Sequence, residues 1–424
     1  WRAGRVAAPH GGAPADGDAT GRAASPAAAD ALSVRVLPVG EGGVAALAEE
    51  VGGMAARPSF CALHLQAGLD PAPVLDRAAA LGIPAMGATS SRGVMTGEGR
   101  APGMVFALQD GAGEYGCALR AFAPAADDAS VEEAARAATL AAMAQAGRPG
   151  EAPDLVWLCG TPGREERLLA GIESVVGSQT PIVGGSAADD DVTGGWSVFA
   201  GTDRAASGVS VGVLYPSCAV STAYQNGYAP AGPSGRVTAA EGRTIRRIDD
   251  RPAAEVYAGW TDGVVAAPAA GQADRPVLAD SAFWPLGREI ADVAGVTYHL
   301  LVHPALSRAD GGLDVFAEIA AGERLVQMSG SVEGLTARAG RVAALAARAG
   351  PIAPEDIAGA LVVYCGGCMM SVADRLDDVV DGLRAALPGA PFAGVFTFGE
   401  QGPILGAGNR HGNLMISCIV FSRR

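Results

Sequence analysis

The chain has 424 residues, a net charge of −14 and 49% hydrophobic residues, with a mean hydropathy of +0.23 and a pI near 4.8. That length allows two or three domains with a large core. The acid excess excludes a nucleic-acid partner held by phosphate contacts and speaks against an anionic membrane surface. Every basic side chain is arginine, so a Walker-type phosphate loop and Schiff-base chemistry both lack their lysine.

Residues 1–30 are rich in Ala, Gly, Pro and Asp, have no apolar segment of a secretory signal, and are expected to be disordered. The chain opens on Trp1, so a native start upstream is expected. From there one unit recurs three times: an apolar strand, a Gly or Pro turn, an amphipathic helix and a second strand. The first copy reads SFCALHLQ then VLDRAAALGIPAMGATSS, followed by the strand GMVFALQ. SVEEAARAATLAAMAQAG then predicts a helix opening on Ser130 and Glu133, at capping-box spacing. The second copy runs from DLVWLCG to TPIVGGSA and is followed by GVSVGVLY.

Residues 221–330 have a different texture, short strands with polar turns and one short helix near Pro252–Gly259. A helix over 331–349 follows, with Ser331 as its N-cap. The third copy runs from GALVVYCGG to PFAGVFT, ahead of NLMISCIVF. Its helix carries Val372, Leu376, Val379, Val380, Leu383 and Leu387 on one stripe, with aspartates elsewhere. Each second strand begins beside Pro84, Pro181 or Pro391 and ends in glycine and small polar residues. The expected fold is α/β (α+β): repeated β-α-β units, each with a hairpin, forming mixed sheets in two domains, 31–220 and 221–424.

Carboxyl ends of parallel strands face ligand crevices. Gly184 and Gly185 permit a sharp turn there, and Ser186 offers a hydroxyl. Asp189 and Asp190 then suit an amine or a cation, unless they only cap local backbone. Cys365 and Cys368 flank two glycines at a helix start, where a thiol could be activated. Glu400 lies between Gly399 and Gly402 in a turn, within reach of a ligand amine or of backbone amides. His411 and Asn413 enter the last strand, and His411 reads as a polar loop residue. His299 and His303 share a strand face, but two histidines do not make a metal site. No metal or cofactor is expected, and no GxSxG or HExxH motif is present. The seven cysteines sit mostly in apolar runs, which reads as free thiols in a reducing, cytoplasmic compartment. No apolar run reaches the length of a membrane span.

Five stretches stand in the order found in proteins with a FIST N and a FIST C domain. They are PIVGGSAADD, GYAPAGPSGRVTAAEGRTIRRIDDRPAAEVY, FWPLG, ALVVYCGGC and FAGVFTFGEQGP with HGNLM. The chain resembles that family from about residue 31 onward. The resemblance implies an intracellular sensory module of bacterial signal transduction, with eukaryotic members joined to F-box domains. It implies binding of a small polar ligand, an amino acid being one candidate, and a signalling protein as partner. The matching positions are Gly184, Gly185, Ser186, Asp189, Asp190, Cys365, Gly399, Glu400 and Asn413. The sequence departs from the family where Cys368 stands in a pattern that often carries arginine, and in the run Arg410–Asn413. Two alternatives remain open: an enzyme using Cys365 as nucleophile with His411 or Glu400 as base, or a protein-interaction scaffold.

Overall fold

The computed structural model describes residues 31–424 apart from 270 and 294. The disorder expected of residues 1–30 falls outside the described residues.

The three sequence units build three six-stranded sheets of the same plan. The first runs Ser33–Pro38, Gly103–Gln109, Phe60–Gln66 and Ala85–Ser90. The second runs Glu114–Ala121, Gly208–Tyr215, Leu155–Gly160 and Ile182–Ser186. The third runs Val220–Asn226, Met415–Ser422, Ile357–Cys365 and Phe392–Thr397. The last two strands in each series are parallel; the others pair antiparallel. A parallel pair needs a crossover, supplied by the helices Ala72–Ala80, Glu165–Val176 and Leu376–Ala386. The last of these buries Leu376, Val379, Val380 and Leu383, the apolar stripe that the sequence predicts.

Each sheet is completed by a hairpin borrowed from another unit. Val94–Ala101, from the first unit, pairs with Phe392–Thr397 of the third. Val198–Ala205, from the second, pairs with Ala85–Ser90 of the first. Glu400–Gly412, from the third, pairs with Ile182–Ser186 of the second. The exchange closes into a ring, which brings the carboxyl ends of all three second strands together. Ser91 N bonds Phe396 O at 3.1 Å, Ala188 N bonds Thr89 O at 3.0 Å, and Phe398 N bonds Ser186 O at 3.1 Å. Gly184 is required by close approach: a Cβ there would lie 1.9 Å from the carbonyl oxygen of Leu158.

The inner sheet faces share one core, to which the three units contribute Phe60, Trp157 and Val363 among others. Helices cover the outer faces. The helix Asp128–Gln145 starts before Ser130: Asp127 is its N-cap and accepts from Ser130 N at 2.9 Å. A carboxylate one turn earlier is the better partner for the positive helix end. Ser331 caps Val332–Ala349 as expected.

Between Val220–Asn226 and Ile357–Cys365 of the third unit lies an inserted body, Ala229–Ser329, built on a nine-stranded sheet. It carries the helix Ala253–Trp260 and its own core around Val237, Tyr257 and Leu325. The body docks over the strand ends. Arg167 pairs with Glu318 at 2.7 Å, and Asn413 N bonds Leu301 O at 3.0 Å. Among the described residues, no helix is long and apolar enough to cross a membrane.

Candidate ligand cavity

Where the inserted body meets the second and third units, a cavity of about 760 Å³ opens. The second unit supplies Glu165, from the start of its crossover helix, and Trp196 from the loop after its second strand. The third unit supplies Cys365, Phe398 and Asn413, and the inserted body supplies Arg243, Phe283, His303 and Phe316. Most of the lining is apolar or aromatic. Trp196 and Phe398 meet edge to face at 6.1 Å, and His303 and Phe316 tilt together at the same separation.

One wall holds a buried ionic cluster. Arg243 reaches Glu165 and Glu166, each at 2.6 Å. Ser186 Oγ donates to Glu165 at 2.7 Å, and Gly163 N donates to the same carboxylate at 3.1 Å. Burial alone would raise the Glu165 carboxyl; Arg243 and the other partners outweigh it and hold the group down at about 2.

The opposite arrangement holds at Glu400, which is fully buried and accepts from Thr397 Oγ1 at 2.8 Å and Met415 N at 2.9 Å. Burial first, and then the neighbouring Cys365, push its carboxyl well above the usual range. A hydrogen bond with Cys368, together with burial, pushes the Cys365 thiol up as well. His303 donates from Nε2 to Leu278 O at 3.0 Å, and burial lowers its ring to about 4.

Comparison with known families matches the FIST N domain over residues 60–251 and the FIST C domain over 253–403. The chain belongs to the FIST family. FIST domains are sensory domains of signal-transduction proteins. No curated protein matches this FIST chain. Among solved structures it is similar to a cyanuric acid hydrolase from A. caulinodans, at 10% identity and a TM-score of 0.33, covering 93% of this chain and 99% of that one. A second cyanuric acid hydrolase structure, described as an evolutionary innovation by structural concatenation, aligns at 9% identity and a TM-score of 0.34 over 92% and 100% of the two chains. Likenesses of this size carry no argument about chemistry.

The FIST fold sorts the sequence-chosen residues into four groups. Cys365 and Asn413 line the cavity. Ser186, Gly399 and Glu400 stand behind its wall: Ser186 N bonds Gly399 O at 2.8 Å, and a Cβ on Gly399 would lie 2.6 Å from His411 Cε1. Gly184 and Gly185 pair with Gln401 and Glu400 in the exchanged hairpin. Asp189 and Asp190 do not line the cavity. Asp189 accepts backbone N–H groups from Val192, Thr193, Gly194 and Gly195, between 2.7 and 3.0 Å. Asp190 accepts from Gln66 Nε2 at 2.7 Å and from Arg92 N. The acids therefore shape the loop that carries Val192 and Trp196 to the cavity. His411 is not in the cavity lining and bonds Gln401 and the Phe316 carbonyl. Sequence reasoning missed Glu165, Arg243 and the aromatic lining. None belongs to a spaced motif, and only the docking of the inserted body brings them together. His303 is visible in the sequence, but its spacing from His299 raises only the question of a metal. Among the described residues no cluster suits a metal ion.

Proposed function

We propose that this FIST chain is a cytoplasmic ligand-binding sensory module that holds a small molecule in the 760 Å³ cavity and passes the signal to a partner protein. The observation carrying this reading is the cavity itself. It is concave, largely apolar, furnished with a few polar groups, and built jointly by both FIST domains. A ligand there would tie the inserted body to the strand ends of two units, which gives binding a mechanical consequence. The free state of all seven cysteines supports a reducing compartment.

The Cys365 chemistry supports binding over nucleophilic catalysis. Thiol and carboxyl are both pushed toward their neutral forms, and an activated cysteine needs a stabilised thiolate. Thermal-shift measurements across amino acids and other metabolites test the proposal. At a hundredfold excess over Kd a true ligand stabilises by about 2.7 kcal/mol. Unchanged melting across the whole library would overturn it.

A further inference from the structure

The polar groups of the cavity say more about what it takes, on the reading that it is a ligand site. Its charged lining groups are already paired: Arg243 with Glu165 at 2.6 Å, and Asp280 with Arg275 at 3.4 Å. No unmatched charge among the described lining residues calls for an ionic ligand.

Two buried neutral groups are different. Asn413, 3% exposed, accepts His303 N at Oδ1 over 3.2 Å. That bond fixes the amide orientation and leaves Nδ2 as a donor without a protein partner among the described residues. His303, 4% exposed, places its ring proton on Nε2, since a carbonyl can only accept. Nδ1 is then a bare acceptor with no protein partner among the described residues. Both residues line the cavity, and neither free atom is among the fully buried unpaired atoms of the described residues. The two residues are in hydrogen-bond contact through His303 N, and their unpaired donor and acceptor are open to a partner that carries the complementary pair.

We propose that the cavity binds a neutral planar heterocycle with a carbonyl beside a ring N–H, the carbonyl accepting from Asn413 Nδ2 and the N–H donating to His303 Nδ1. Trp196, Phe316 and Phe398 in the lining give a flat ring aromatic neighbours. A site built to pair such an edge rejects molecules that lack it.

The test titrates the full chain with hypoxanthine, uracil and lumichrome beside the twenty amino acids, following tryptophan fluorescence and calorimetry. At least one heterocycle should bind. The methylated forms 1-methylhypoxanthine or 1,3-dimethyluracil should bind at least tenfold more weakly than their parents. Asn413→Asp keeps the acceptor for His303 N and, as the carboxylate, removes the donor, so at a pH where the new group is ionised it should weaken the heterocycle at least tenfold. If that variant does not fold, the methylated ligands on the native chain decide. Amino acids binding while heterocycles fail would overturn this inference and leave the sensory reading standing. No binding by any probe, with a flat metabolite library, would remove both. Heterocycle binding indifferent to methylation would refute the assigned edge.

Discussion

Glu165→Gln isolates the ionic cluster that forms one wall of the cavity. The substitution keeps the side chain's shape and an oxygen able to accept from Ser186, but removes the charge facing Arg243. Glu165 is 2% exposed and Arg243 23%, so the pair is only weakly screened by solvent. Its carboxyl is held at about 2 in the fold, against 4.5 for the free group. A tenfold change in proton affinity is worth about 1.4 kcal/mol, so the charged form contributes roughly 3 kcal/mol at neutral pH. Arg243 retains Glu166 and the Phe316 carbonyl after the change. This places the cost below the roughly 3–5 kcal/mol typical of orphaning a buried ion, at about 2–3 kcal/mol. A depressed carboxyl stabilises fully above its unfolded value, and the contribution is lost as pH falls from about 4.5 to 2. Urea unfolding across that window should show this loss in the native chain and its absence in the variant. Loss of less than about 0.5 kcal/mol at pH 7, within the range of an ordinary surface change, would refute the reasoning, as would an unaltered acid limb. So would a Glu165→Gln, Arg243→Met double variant whose cost equals the sum of the two singles.

Three further outcomes are expected. Asp189→Ala should destabilise by about 2–3 kcal/mol, because four backbone donors lose a charged acceptor; it should also alter Trp196 fluorescence, and an unchanged spectrum and melting curve would count against its role in shaping the loop. His303 titrates near 4 in the fold and 6.5 when free, so the unfolded chain binds the extra proton and stability should fall from about pH 6.5 to 4; His64, lowered by burial to about 3, adds to the same limb, so a His303→Phe variant should make that limb shallower without abolishing it, and an unchanged slope would refute the assignment. Cys365 should alkylate with iodoacetamide more slowly at pH 8 than an unperturbed thiol of pKa about 8.5; equal rates, mapped to Cys365 by mass spectrometry, would revive the nucleophile reading.

Amino-acid order by itself determined the repeated units. A strand with a continuous apolar run, a helix with one buried stripe and a proline-led second strand are local patterns, set by backbone periodicity. Thus Phe60–Gln66, Leu155–Gly160 and Ile357–Cys365 were legible, as was the change of texture at the inserted body. The small-polar strand ends were legible too, and Cys365 and Asn413 do reach the cavity. Which sheet a hairpin joins is not a local property. Val94–Thr96 pairs with Phe392–Thr397 across most of the length of the chain because the ring closes there, and no spacing records that. The same holds for Asp189. Its charge is visible in sequence, but only the fold shows four backbone amides turned onto it. Tertiary structure alone decided that Arg243 and His303 face Glu165 and Asn413, because docking of one body on another creates those contacts, and side-chain pairing at such distances in sequence follows from packing rather than from propensity.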